Sequence, residues 1–142
     1  LNYSTIRKNL FETKNSQFII EEPEQNLFPL TQRDLIYTLI QKCLNKEGNS
    51  LTITTHSPYV LYALNNCMMG YLVKDKMPVG EQTELLCKNS LIDPEEVSVW
   101  QIKNGNIISI IDRETKVVGN HYFNEVMGEI MDEYYEMLNY FE

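Results

Sequence analysis

Two short stretches of sequence decide the fold of this chain: FIIEEPE at residues 18–24 and LTITTHSP at residues 51–58. Each is rich in apolar or β-branched residues and ends in side chains that handle protons, metal ions or phosphates. The first apolar run is continuous, which is typical of a strand in a parallel sheet that is covered on both faces. The segment between the two stretches has the periodicity of one amphipathic helix. The sequence therefore predicts a strand–helix–strand unit.

Such a unit belongs to an α/β fold, because the crossover between parallel strands is formed by a helix and is almost always right-handed. Serine followed by proline, after the second stretch, predicts the start of another helix, since serine caps well and proline suits the first helical position. The predicted elements are a strand at Gln17–Glu21, a helix from Thr31 as N-cap to about Lys46, a strand at Leu51–Thr55, and a helix from Ser57-Pro58 to about Asn65.

The rest of the chain carries weaker patterns. Asn104-Gly105 lies between two apolar-rich runs within residues 97–111, which is the strongest short-range signal for a β-hairpin. The other expected elements are a helix at residues 4–13, a third strand at 70–74, a loop at 76–90, and a long helix from Tyr122 to Phe141. We expect a single partial domain over residues 1–142, with an α/β core at 1–75, a loop and hairpin at 76–120, and a C-terminal helix at 121–142.

The composition indicates a globular protein. The chain has 142 residues, of which 43% are hydrophobic and 23% are charged. A net charge of −8 argues against a surface that binds a phosphate backbone, which needs clustered lysine and arginine. No apolar run approaches the roughly 20 residues of a membrane span, and no signal-peptide pattern follows Leu1. Because the sequence does not begin with Met, we expect it to be part of a longer protein.

The three cysteines are Cys43, Cys67 and Cys87, an odd number with wide spacing. They form no metal-binding pair and no disulfide framework, so we expect buried free thiols and a reducing, cytoplasmic setting. A Cys–His nucleophile that uses His56 remains an alternative.

Two adjacent carboxylates follow the first predicted strand. Ligands of open α/β sheets bind outside the carboxyl ends of the strands, where Glu21 and Glu22 lie. One carboxylate can hold Mg²⁺ and the other can orient a water molecule. Glu24 is expected beyond the strand tip. The alternative is that all three are exposed acids in a turn before a helix.

His56 follows the second predicted strand and precedes a helix N-terminus. Its imidazole, the Ser57 hydroxyl and the free backbone N–H groups of that helix start can converge on an anion such as a phosphate. If the two strands are neighbours, their ends are about 4.8 Å apart, and with one strand between them the distance is about twice that; in both cases His56 can reach the same ligand as Glu22. His121 is interpreted as an ordinary structural histidine.

These motifs resemble those of a known family. Residues 18–29, FIIEEPEQNLFP, resemble the Walker B segment and D-loop of ABC-type ATPases, and residues 54–58, TTHSP, resemble their histidine switch. Both are closer to the non-transporter branch, with the RecF, SMC and OLD families, than to membrane exporters. The resemblance is specific over about residues 17–61. It implies the C-terminal half of a P-loop NTPase core, a parallel sheet with helices on both faces.

The resemblance also implies a role for each matching residue. Glu22 corresponds to the carboxylate that positions the attacking water, and His56 to the switch histidine that contacts the γ-phosphate of ATP. Glu21 takes the place of the aspartate that usually holds Mg²⁺, with one methylene more. The residues expected at the interface of a head-to-tail homodimer are Glu24, Gln25 and Asn26.

The phosphate-cradling part of the family pattern is missing. None of the six glycines is followed by lysine, so the Gly-x-x-x-x-Gly-Lys-Ser/Thr loop is absent from the sequence. The resemblance therefore implies that ATP and Mg²⁺ bind only when a missing N-terminal half is present, and that the isolated chain is inactive. The parent protein would act in DNA maintenance or defence, with DNA or a nuclease as a partner and no membrane.

The sequence is also compatible with two other functions. One is a non-enzymatic interaction or regulatory module that keeps the ATPase fold. The other is metal-dependent hydrolysis by Glu21, Glu22 and His56 alone, which needs more fixed ligands than the sequence supplies. In the last helix, apolar positions recur opposite acidic ones, which predicts either packing on the sheet or docking of a partner or second copy.

Overall fold

A computed structural model describes residues 15–141 as a mixed α/β chain with four helices and two small sheets. The helix expected at residues 4–13 lies outside the described residues. The strands are β1 (Gln17–Glu21), β2 (Ser50–Thr54), β3 (Trp100–Lys103) and β4 (Asn106–Ser109). The helices are α1 (Pro29–Cys43), α2 (Pro58–Val73), α3 (Val79–Glu84) and α4 (Tyr122–Leu138), with a short 3₁₀ helix at Pro94–Glu96.

The predicted strand–helix–strand unit is confirmed. Strands β1 and β2 are parallel neighbours, with a register that runs from Gln17 opposite Ser50 to Glu21 opposite Thr54. Helix α1 connects them and contacts β2. Both strands therefore end at the same edge of the sheet, which is the edge that carries the acids and the histidine.

The expectation that β1 is covered on both faces is wrong for the described residues. Exposure alternates along both strands, and Ile19 is 74% exposed. A continuous apolar run makes a strand suitable for burial on both faces. Whether both faces are buried depends on the elements that pack against them. In this part of the chain the sheet has two strands and one open face.

Helix α1 begins two residues before the predicted N-cap, Thr31. Phe28 is in an extended conformation and occupies the N-cap position, and Pro29 follows as the first helical residue. Proline has the helical φ angle and no N–H to leave unpaired, so it sets the start of the helix here. The buried side of α1 consists of Ile36, Tyr37, Ile40 and Cys43.

The connection from α1 to β2 is held by Asn49. Its side-chain amide donates to the Cys43 carbonyl oxygen (2.8 Å), and its side-chain oxygen accepts from the Ser16 N–H (2.9 Å). This one side chain thus joins the end of α1 to the residue before β1. Gly48 precedes it with φ +82°, and a Cβ at Gly48 would lie within 3 Å of the Asn15 side chain.

Helix α2 is longer than predicted, and the third strand expected at residues 70–74 is wrong. The helix continues to Val73, and Cys67 and Met68 within it are fully buried. Gly70 does not end the helix. A Cβ there would lie 2.6 Å from the Leu91 side chain, so glycine permits a close approach between distant parts of the sequence.

The segment predicted as a loop at residues 76–90 contains the short helix α3. The Gln82 side chain donates to two backbone carbonyls outside the helix, those of Lys74 and Met77. These bonds depend on where the preceding backbone carbonyls lie and not on a regular spacing of apolar residues. The sequence pattern therefore did not predict the helix.

The predicted hairpin and final helix are both confirmed. Strands β3 and β4 are antiparallel, and Asn104 and Gly105 form the turn between them with φ angles of 52° and 76°. Both angles lie in the left-handed region, as a tight hairpin turn of type I′ requires. Helix α4 is held beside the hairpin by an ion pair between Lys103 and Glu125, whose charged atoms are 2.6 Å apart.

The chain divides into two compact units, with the boundary after Ala63, inside α2. The candidate site lies in the first unit, and the hairpin and α4 lie in the second. None of the helices described in residues 15–141 has the length and apolar character that a membrane span requires.

Candidate functional site

The carboxyl ends of β1 and β2 bring Glu22 and His56 into contact. His56 Nε2 lies 3.2 Å from Glu22 Oε1. The His56 side chain is 83% exposed and that of Glu22 is 32% exposed, so both groups are open to a ligand. Two groups that are separated by more than thirty residues in sequence thus form one acid–imidazole pair at the sheet edge.

Glu22 has an unusual backbone conformation. Its φ angle is 43°, in the left-handed region that side chains other than glycine rarely adopt. Its N–H donates to the Thr54 carbonyl oxygen (2.9 Å), and its carbonyl oxygen accepts the Gln25 N–H (3.1 Å), so the chain turns directly after β1. The Gln25 side chain then donates to Glu22 Oε2 (2.5 Å). The carboxylate is therefore held between an amide on one side and the imidazole on the other.

Glu24 follows the end of β1 and bonds to the residues that follow the end of β2. It is only 6% exposed, and its Oε1 accepts hydrogen bonds from the Thr55 hydroxyl (2.5 Å) and the His56 N–H (2.9 Å). The carboxylate of Glu24 is thus directed into the chain, toward the segment that carries the histidine. Gln25 and Asn26, which share its predicted role at a dimer interface, are exposed.

Ser57 is buried and caps helix α2. Its Oγ accepts the Tyr59 N–H (3.2 Å) and donates to the Gln32 side-chain oxygen (2.5 Å), while its own N–H donates to Thr55 Oγ1 (3.0 Å). The hydroxyl that was expected to face a phosphate is therefore engaged within the chain. The role of Ser57 that the structure describes is to fix the start of α2 directly after His56.

Glu21 is exposed at the end of β1. Its carboxylate is a hard oxygen ligand of the kind that Mg²⁺ prefers. Among residues 15–141, however, no three acidic, histidine or cysteine side chains are grouped so that they could hold a metal ion unaided. Mg²⁺ in nucleotide sites keeps several waters and needs only one or two carboxylates besides the phosphates.

The expected buried thiols are confirmed. Cys43, Cys67 and Cys87 are free and buried. Burial raises the pKa of the Cys67 thiol to about 12 and also raises the pKa of Cys87. A thiol nucleophile needs a lowered pKa and access to its substrate, so these two cysteines have the character of core residues.

His121, which was interpreted as an ordinary structural histidine, is buried. It is 3% exposed, and it precedes α4. Burial lowers its pKa, with Glu125 acting in the opposite direction. This histidine belongs to the core of the second unit.

Three residues of the site were not assigned their role from the sequence. Glu24, Gln32 and Thr55 form the hydrogen bonds that hold residues 55–57. Thr55 could have been suspected, because it directly precedes the histidine. Gln32 gave no signal, since it is one of several polar residues on α1.

Searches with this chain against protein-family models, curated proteins and solved structures each found no match. The geometry of the site and the motifs in the sequence are therefore the grounds for a functional proposal.

Proposed function

We propose that this chain is the C-terminal part of an ABC-type ATPase of the non-transporter branch, which binds and hydrolyses ATP with Mg²⁺ as a head-to-tail dimer. The observation that carries the proposal is the 3.2 Å contact between His56 Nε2 and Glu22 Oε1 at the ends of adjacent parallel strands. The two motifs that resemble Walker B and the histidine switch thereby meet at one point.

In the proposed reaction, Glu22 accepts a hydrogen bond from the attacking water and orients it toward the γ-phosphate. His56, with its exposed imidazole, contacts the same phosphate. Glu21 holds Mg²⁺, directly or through water. A bound Mg²⁺ supplies positive charge that offsets the charge on the transferring phosphoryl group.

The phosphate-binding loop has to come from another segment of polypeptide. The small sheet supports this requirement, because parallel sheets are normally buried on both faces and two strands are marginal alone. Ile19, on the open face of β1, is 74% exposed. In the proposed complete domain, further strands and helices would extend this sheet and cover its open face.

The dimer contact is proposed for the turn after β1. Gln25 and Asn26 are exposed there, and Asn26 has a φ angle of 60° that shapes the turn. The work of the parent protein is proposed to be DNA maintenance or defence, with DNA or a nuclease as the partner.

A second candidate function is a regulatory or interaction module that keeps this fold without hydrolysing ATP. The absence of a Gly-x-x-x-x-Gly-Lys loop from the sequence favours it. Under this alternative the Glu22–His56 pair would have no effect on nucleotide turnover.

The test is Glu22→Gln in the protein that joins this chain to a phosphate-binding loop. The amide keeps the shape of the side chain but cannot act as the carboxylate that polarises water, so we expect ATP binding to persist and turnover to fall about 100-fold or more. Nucleotide binding and phosphate release are measured separately. The matched control is Glu47→Gln, an exposed acid after α1, which should leave both unchanged.

Two results contradict the proposal. One is normal hydrolysis by the Glu22→Gln variant. The other is the absence of ATP binding by any protein that contains both this chain and the loop, which would favour the regulatory module.

A further inference from the structure

We propose that Glu24 is a positioning residue: its carboxylate holds the backbone of His56 and so maintains the imidazole beside Glu22. The effect of this residue on turnover rests on the proposed ATPase function. Its effect on the geometry of the pair does not.

The first support is the burial and bonding of the Glu24 carboxylate. The residue is 6% exposed, and its Oε1 accepts from both the Thr55 hydroxyl and the His56 N–H, at 2.5 and 2.9 Å. A buried carboxylate is costly unless it is hydrogen-bonded, and hydrogen bonds to a charged acceptor are about twice as strong as neutral ones. These two bonds are therefore the main reason that Glu24 is tolerated in this position.

The second support is that Glu24 and Glu22 belong to the same tight turn. The Gln25 N–H donates to the Glu22 carbonyl oxygen and the Leu27 N–H donates to that of Glu24, each at 3.1 Å. The turn fixes the position of Glu24 relative to Glu22, and Glu24 in turn fixes the backbone of His56. The imidazole itself is 83% exposed, so its place is set mainly by its backbone and by its contact with Glu22.

Ser57, the next residue, has one bond that does not depend on Glu24 and one to the Thr55 hydroxyl that also donates to Glu24. Ser57 is bonded through its hydroxyl to Gln32 and through its N–H to Thr55 Oγ1. The Ser57–Gln32 bond remains when Glu24 is changed, so helix α2 keeps its start. We therefore expect removal of the Glu24 carboxylate to loosen Thr55 and His56 locally and to leave the rest of the first unit folded.

Glutamine is the informative conservative substitution. Glu24 Oε2 is buried and has no hydrogen-bond partner among the described residues. Glu24→Gln keeps one oxygen that can accept from Thr55 and His56, but as a neutral acceptor. It should weaken both bonds without removing them, whereas Glu24→Ala removes them.

The test is NMR on the full chain, with the Glu24→Ala, Glu24→Gln and Glu22→Gln variants and Glu47→Ala as the control. In Glu24→Ala we expect the His56 amide to exchange about tenfold faster or more, because the variant loses one hydrogen bond to a charged group. In Glu24→Gln the exchange rate of this amide should change less. The imidazole signals of His56 should shift in Glu24→Ala toward those in Glu22→Gln. In Glu24→Gln they should stay near the wild type.

An unchanged His56 amide and imidazole in a folded Glu24→Ala variant would overturn the proposal. If Glu24→Ala does not fold, Glu24→Gln decides: faster exchange confined to the His56 and Ser57 amides supports the proposal, and wild-type exchange of the His56 amide overturns it. A loss of stability alone would speed exchange throughout the unit and would not shift the imidazole selectively.

The complete ATPase provides the second measurement. There we expect Glu24→Ala to lower kcat by about tenfold or more with little change in KM for ATP, because the imidazole that contacts the γ-phosphate beside Glu22 is misplaced, and Glu24→Gln to recover most of that loss. If the NMR results hold and no ATPase activity exists, the proposed function fails and the positioning role stands. If activity depends on Glu22 but the NMR results do not hold, the positioning role fails.

Discussion

Three glutamates within four positions of the sequence have three different environments. Glu21 is exposed at a strand end, the Glu22 side chain is 32% exposed and touches His56, and Glu24 is buried against two hydrogen-bond donors. The difference arises because the chain leaves its extended conformation at Glu22, whose φ angle is 43°. Identical side chains thus acquire separate roles from one change of backbone direction.

His121 provides a prediction at the same scale. Burial lowers its pKa, so protonation favours the unfolded chain. Its contribution to stability is fully present above the ordinary histidine pKa of about 6.5 and is lost as the pH falls through the lowered pKa of the folded state. We expect the free energy of unfolding to decrease below about pH 6.5, and to decrease less steeply in His121→Gln.

The measurement is denaturant unfolding at a series of pH values, with the slopes compared between wild type and variant. Because the carboxylates titrate in both proteins, the difference between the two slopes isolates the histidine. Identical slopes would contradict the prediction.

At the scale of elements, the α1–β2 connection depends on a glycine in the left-handed region. Gly48 has φ +82°, and an added Cβ would lie within 3 Å of the Asn15 side chain. We expect Gly48→Ala to destabilise the chain by about 1–2 kcal/mol from the backbone conformation alone. Denaturant unfolding of the variant and the wild type measures this difference in the free energy of unfolding.

The matched control for this variant is Gly80→Ala. Gly80 lies in helix α3, and a Cβ added to it would have nothing within 4 Å. Alanine is the better helix former by about 1 kcal/mol, so this substitution should be neutral or stabilising. A Gly48→Ala variant as stable as Gly80→Ala would show that the connection tolerates a side chain.

The elements that the sequence predicted well are those with a local cause. The parallel direction of β1 and β2 follows from the helical crossover between them, and the hairpin follows from Asn104-Gly105. The second half of α2 was missed because residues 70–74 were predicted as a strand, whereas Gly70 lies within the helix and permits close approach to Leu91. That reason depends on a residue far away in the sequence.

The same distinction applies to the site. Glu22 and His56 could be paired from the sequence, since parallel neighbours end at one edge of a sheet. The contribution of Gln32 could not, because it depends on how α1 is rotated against the segment after β2. The direction of the Glu24 side chain depends in the same way on the shape of a turn.

At the scale of the whole molecule, apolar residues divide sharply between core and surface. Ile36 is 2% exposed, whereas Ile102 on the hairpin is 78% exposed. Helix α4 has no buried residue, although its apolar side includes Met127, Ile130, Tyr134 and Met137. The described residues thus leave a considerable apolar surface open, on the sheet and on α4.

This division predicts opposite outcomes for two isoleucines. Ile36→Ala removes buried methylenes and leaves a cavity, so we expect a loss of about 2–5 kcal/mol in unfolding free energy. Ile102→Ala changes an exposed position and should alter it by less than about 0.5 kcal/mol. Circular dichroism during urea unfolding measures both, and equal losses would contradict the assigned core.

The residues of the candidate site are contiguous in sequence: the acids, the histidine and every side chain that holds them fall between Glu21 and Tyr59. One stretch of sequence therefore specifies these groups, whereas the proposed phosphate-binding loop lies outside it. A single recombination event or one synthetic cassette could therefore exchange the entire arrangement between related proteins without separating an acid from its histidine.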